Sequence, residues 1–113
     1  MRTPRDLLIT LVGRRPRRVL VRGPSMAPTL RDGDVVLALP GTRVRPGEVA
    51  LVRWASRPGQ LSVKRAALED TDGWFAVGDA PASSTDSRTL GPAEVLGPVR
   101  WRLWPHPGRV RAR

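Results

Sequence analysis

Cysteine is absent from this 113-residue chain, which rules out disulfides, thiol catalysis and cysteine-ligated zinc together. Histidine occurs once, at His106, in a proline- and glycine-flanked tail, a poor position for a catalytic base. Long apolar runs are missing as well. The longest near the start, Leu7-Leu8-Ile9-Thr10-Leu11-Val12, falls far short of the roughly 20 residues that span a bilayer, so no transmembrane anchor is expected. Arg14-Arg15-Pro16-Arg17-Arg18 superficially suggests an export signal, but no apolar region of the required length follows it before Pro24. The expectation is a soluble, cytoplasmic protein that touches a membrane at most peripherally, through its basic run.

The scarcest informative residue is lysine. Of 20 basic residues only Lys64 is not arginine, and the formal net charge is +10. Arginine stays protonated at any working pH, whereas a buried lysine can be driven neutral and act as a base. That asymmetry marks Lys64 as a candidate for chemistry. The positive charge itself reads either as a solvated arginine-rich surface or as attraction to an acidic partner. Nucleic acid is not the expected partner. A basic nucleic-acid-binding module on a degenerate peptidase scaffold is the alternative from another class, and it predicts affinity that falls steeply with salt.

The length supports one small domain, and 12 prolines with 11 glycines describe a turn-rich one. Short apolar runs separated by turn signals predict strands at Val19 to Arg22, Val35 to Leu39, Glu48 to Trp54, Leu61 to Leu68, Trp74 to Val77 and Val95 to Trp104. Glu48 to Trp54 is nearly continuously apolar, which predicts burial on both faces. Period two along the fourth run puts Ser62, Lys64 and Ala66 on one face, so Lys64 stands among small neighbours. These features predict a mainly antiparallel β domain over residues 19–105. An N-terminal arm and basic tether, 1–18, precedes it, and a loose basic tail, 106–113, follows. Gly78 to Gly91 is too long for a hairpin loop, and long ordered loops are often functional. The four tryptophans read as core or interface residues, with Trp101 or Trp104 as candidates for a substrate groove.

A serine hydroxyl is a weak nucleophile until a neighbouring base takes its proton, and lysine is a recognised alternative to histidine for that task. Ser25, in Gly23-Pro24-Ser25-Met26, would by itself read as a turn residue, and Lys64 by itself as a surface lysine. If Ser25 is a nucleophile, Lys64 is the remaining candidate base. Lysine ordinarily titrates near 10.4, and only desolvation, here under apolar cover such as Met26 and Val36, brings an amine into working range.

The longer pattern supplies the context. GPSMAPTLRDGD, then VKRA, then GDAPASSTDSRTLG resembles, in order and over residues 20 to 104, the three boxes of the type I signal peptidase family of serine/lysine endopeptidases. The resemblance implies a small antiparallel β catalytic domain of the signal peptidase/LexA-like type. It implies Ser25 as nucleophile, Lys64 as general base and later general acid, and Ser84 as the group that orients the lysine amine. By the same matching Asp79 pairs with Arg65 and Asp86 with Arg88, as structural support. For the oxyanion, Pro24 has no N–H to give, which leaves the Ser25 amide and, by the family pattern, the position of Gly23. Ala80 stands where the family usually has asparagine, and no anchor precedes the serine. In length, Arg-Pro-Gly turns and the ending Val99 to Pro105, the chain is similar to the soluble nickel-type superoxide dismutase maturation proteases. That similarity implies a protein precursor with an N-terminal extension as the partner cut, and no metal or other cofactor in the protease. General signal peptidase-like processing at the membrane is the alternative within the class.

Overall fold

The computed structural model describes residues 15–113. Seven strands follow in chain order: β1 (Arg17–Leu20), β2 (Val35–Ala38), β3 (Val49–Trp54), β4 (Leu61–Asp70), β5 (Gly73–Val77), β6 (Ala93–Trp104) and β7 (Gly108–Arg109). Neighbours run β1-β2-β6-β3-β4-β5, every pairing is antiparallel, and β7 adds to β6. The chain is therefore mainly antiparallel β, as its turn spacing predicts. Strand β6 also reaches β5 through Trp74 and Ala93, which curls the β3 to β6 half back on itself. The remaining strands extend from the other half of β6, where register shifts against β2 bend the sheet.

Two apolar clusters hold the layers together. One collects Met26, Leu30, Val36, Leu51, Val63 and Val99, and the other Ala50, Val52, Trp54, Ala66 and Ala76. Strand β3 contributes alternate residues to both, which is why its sequence is apolar without interruption. Burial of this continuous strand makes β4, its partner, a rigid support. Lys64 lies on β4 directly opposite Ala50.

Half of β4 has a free edge. Leu61 to Lys64 pair with β3 alone among the described residues, because β5 joins β4 only from Arg65 onward. Among the described residues, strand β1 likewise pairs only with β2. Between these two edges opens a cleft of about 500 Å³, lined on one side by Val19 to Ser25 and on the other by Gln60 to Lys64.

Both ends of the domain differ from expectation. Arg17 and Arg18 belong to β1 rather than to a tether, because the ladder is made by backbone while their side chains stay in solvent. The rest of the expected arm, 1–14, lies outside the described residues. Residues 106–113 are docked. The Val110 N–H donates to the Arg100 carbonyl at 2.8 Å, the Val110 side chain joins the first cluster, and the Arg113 N–H donates to the Gly47 carbonyl at 2.9 Å. Gly47 has φ +93, and a Cβ there would overlap the Arg113 carbonyl oxygen. Only glycine fits both the left-handed backbone and the arriving tail. The segment 78–91 is also ordered, with a 3₁₀ turn at Pro81–Ser83 and one helical turn, α1 (Ser87–Leu90), capped by Asp86.

Gly47→Ala is expected to lower unfolding free energy in urea by about 1–3 kcal/mol, the usual range for forced overpacking. A variant as stable as the parent would contradict the docked tail.

Candidate active site

The Ser25 turn is pinned at both ends by apolar burial. Met26 and Leu30 are buried in the core, Ala27 N–H donates to the Pro24 carbonyl at 3.0 Å, and Leu30 N–H to the Met26 carbonyl at 2.9 Å. Between Val21, which is also buried, and Met26, Ser25 is left partly exposed on the cleft wall. Lys64 approaches from β4 with only 6 % of its surface exposed. Its Nζ stands 2.8 Å from Ser25 Oγ and 3.2 Å from Ser84 Oγ.

Donor capacity sets the direction of each hydrogen bond. The Ser84 hydroxyl donates to Asp86 Oδ2 at 2.5 Å, and a carboxylate can only accept, so the Ser84 oxygen is left to accept a proton from Lys64. That fixes one amine N–H on Ser84 and leaves the other lobes of the nitrogen for Ser25. Asp86 is fully buried and also accepts from Gly78 N–H and from the Arg88 guanidinium. Burial alone would raise its pKa, but the hydrogen bonds from Arg88, Ser84 and Gly78 hold the carboxyl far below the usual range. It stays an anion whenever the amine titrates.

For Lys64 the influences oppose one another. Desolvation lowers its pKa, the Asp86 charge raises it, and the Arg88 charge lowers it, with a net shift below the ordinary lysine value. Ser84 and Arg88 thus stand between the amine and the full effect of the Asp86 charge. The arrangement holds a lysine that gives up its proton more readily than a solvated one.

Arg65 points away from Lys64 and organises the other side of β4. All five of its N–H groups are used: Nε and Nη2 reach Asp79 at 3.1 and 2.5 Å, Nη1 reaches the Gly47 and Arg111 carbonyls at 3.0 and 2.6 Å, and Nη2 also reaches Thr29 Oγ1 at 3.4 Å. Thr29 in turn donates to Asp79 Oδ2 at 2.5 Å. For Asp79, burial is again outweighed, by hydrogen bonds from Arg65 and Thr29 and by the nearby Arg65 and Arg113 charges, so its pKa is lowered. The third box is tied to the nucleophile a second time, because Ala80 N–H donates to the Ser25 carbonyl at 2.9 Å. A backbone donor makes this link, so alanine at 80 can make it.

Of the residues singled out in sequence, Gly23, Ser25 and Lys64 line the cleft, Ser84, Asp86 and Arg88 form a chain of contacts behind the amine, and Arg65 and Asp79 pair on the other side of β4, with one complication. The Gly23 N–H donates to Asp32 Oδ1 at 2.7 Å, so this amide is engaged, whereas no acceptor among the described residues takes the Ser25 amide. His106 does not line the cleft, and neither Trp101 nor Trp104 does; the tryptophan there is Trp54, whose Nε1 faces Ser87 Oγ at 3.4 Å. Sequence reasoning also passed over Thr29 and Gly78. A Cβ on Gly78 would overlap Ser84 Oγ and lie 2.5 Å from the Ser25 carbonyl oxygen, so this glycine makes the packing of third box on nucleophile possible. Both residues sit inside the quoted boxes, which was the available signal.

Comparison with known families bears on the domain as a whole. The family model of the peptidase S24-like proteins matches residues 14–81, more than half the chain. The chain belongs to the peptidase S24-like family. The matched stretch includes Ser25, Lys64, Arg65 and Asp79 and stops short of Ser84, Asp86 and Arg88. No curated protein sequence matches the chain.

The S24-like domain has an unusual titration property. With no cysteine, no tyrosine and one lysine, Lys64 is the only side chain that titrates between about pH 8.5 and 11. Its folded pKa lies below the unfolded value near 10.4, so within that interval the unfolded chain holds a proton that the folded chain lacks. Stability is therefore expected to rise with pH from the folded midpoint to about 10.4, with a slope of at most ~1.4 kcal/mol per pH unit. Urea unfolding at stepped pH should show this rise in the parent and a flat profile in Lys64→Met. A flat profile in the parent would mean that the amine is solvated.

Proposed function

We propose that the chain is a serine/lysine endopeptidase that removes the N-terminal extension of a protein precursor. The observation that carries this reading is the buried Lys64 amine 2.8 Å from Ser25 Oγ, in a peptidase-family domain. Neutral Lys64 takes the hydroxyl proton as Ser25 Oγ attacks the scissile carbonyl, and the Ser25 amide donates to the oxyanion that forms. The resulting ammonium hands its proton to the departing amine, leaving an ester on Ser25. Water then attacks that ester with Lys64 again acting as base. Ser84 holds the amine in line throughout, and Asp86 keeps Ser84 in the accepting state. The Gly23 amide can join the oxyanion site only if it is released from Asp32.

The substrate enters as an extended strand. The free edges of β1 and of Leu61 to Lys64 face each other across the cleft, and backbone pairing would present a peptide carbonyl to Ser25. The Arg-Pro-Gly turns and the segment Val99 to Pro105 favour a nickel-type superoxide dismutase precursor, cut in the cytoplasm, as the substrate. Incubation with that precursor, followed by mass spectrometry of the product's N-terminus, tests it. The parent is expected to trim, Ser25→Ala and Lys64→Arg not to trim detectably, and Ser84→Ala to trim at least tenfold more slowly, within the span of general-base effects. Equal trimming by Lys64→Arg refutes the base assignment, and cleavage of unrelated precursors but not this one refutes the substrate.

One observation favours a second reading, processing at a membrane surface. Leu20, Val35 and Trp104 form a cross-strand row on the β1-β2-β6 face, and Trp101 pairs with Leu37 beside it, with Leu20, Trp101 and Trp104 exposed. Co-sedimentation with anionic vesicles at physiological salt, lost in Trp101→Ser/Trp104→Ser, is the outcome this reading expects. Protein left in the supernatant excludes it.

A further inference from the structure

A second cleft, of about 430 Å³, lies where the docked tail crosses β4 and β6, and five arginines line it: Arg65, Arg102, Arg109, Arg111 and Arg113. Among the described residues no acidic side chain lines it. Two carboxylates pair with lining arginines: Asp79, buried and held by Arg65 and Arg113, and Asp34, 3.6 Å from Arg102. Among the described residues no carboxylate lies within ion-pair distance of Arg109 or Arg111. Arg65 has no donor left and contributes charge alone.

The tail's pattern gives this cleft a repeat. Val110 is buried in the core while Arg109, Arg111 and Arg113, at every second position, border the cleft. In extended chain, alternate residues recur about every 6.6–6.8 Å. An extended peptide carrying acidic side chains at every second position can offer a carboxylate to each of these arginines in turn, and guanidinium groups receive carboxylates bidentately. Among the described residues no aromatic side chain lines the cleft to offer the stacking platform that single-stranded nucleic acid uses.

We propose that this cleft is a docking site for an extended acidic segment of a partner polypeptide, with carboxylates at alternate positions meeting Arg109, Arg111 and Arg113. The site is separate from the catalytic cleft and does not depend on peptide-bond cleavage. Binding is therefore read in the full chain carrying Ser25→Ala, by fluorescence anisotropy of a labelled eight-residue peptide of alternating glutamate and alanine, in about 150 mM salt. Saturable binding is expected, weakened at least tenfold by Arg109→Gln/Arg111→Gln and unchanged within twofold by Arg43→Gln/Arg45→Gln, which removes the same charge elsewhere. Both pairs are exposed, and unchanged thermal unfolding verifies that each variant is folded. Absence of saturable binding, or equal weakening by both pairs, overturns the site. Tighter binding of a single-stranded oligonucleotide of equal charge, or displacement of the peptide by millimolar inorganic phosphate, overturns the assignment to an acidic peptide.

Discussion

The ion pair between Arg65 and Asp79 is the joint on which the rest of the molecule hangs. Both side chains are almost completely buried, at 5 % and 1 % exposure. A buried pair with every donor and acceptor occupied is tolerable, whereas one partner alone is strongly destabilising, by about 3–5 kcal/mol. Three segments meet at this pair: β4, which carries Lys64; the turn after Ser25, through Thr29; and the loop that begins the third box, through Asp79 itself. Among the described residues neither the turn nor the loop has a strand partner to hold it, so the pair fixes both to β4. The geometry between Oγ and Nζ follows from a charge interaction on the far side of the strand.

Two further contacts complete that joint and come from unexpected places. The carbonyls of Gly47 and Arg111 satisfy the remaining Arg65 donors, so the tail takes part in the structural chemistry of the catalytic strand. Without Arg111 a buried N–H would lack an acceptor, an omission that typically costs about 1–3 kcal/mol. The lysine is set up by the converse device: charge is kept near it but insulated. Asp86 is committed to Arg88, Ser84 and Gly78, so Lys64 meets a hydroxyl rather than a carboxylate, and desolvation prevails.

Much of the fold could be read from residue order. The Arg31-Asp32-Gly33-Asp34, Arg45-Pro46-Gly47 and Arg57-Pro58-Gly59-Gln60 turns delimit β2, β3 and β4, and uninterrupted apolar character placed β3 between two clusters. The candidate site was readable for a different reason: its side chains sit in three short boxes, and pairing of Arg65 with Asp79 and of Arg88 with Asp86 was implied by motif matching rather than by spacing. What escaped depends on three-dimensional register. Arg17 and Arg18 look like tether because strand pairing leaves no mark on exposed arginines. The basic tail looks loose because only its register against β6 turns Val110 inward. Capture of the Gly23 amide by Asp32 depends on how the intervening turn closes, which composition does not reveal.

The solitary lysine has a practical side. An amine-directed acylating reagent finds only one side-chain target in the whole sequence, and that target forms part of the wall of the Ser25 cleft, next to the serine hydroxyl. The chain thus carries a built-in address for covalent labelling: a reagent shaped to enter the groove would tag the dyad and no other side-chain amine.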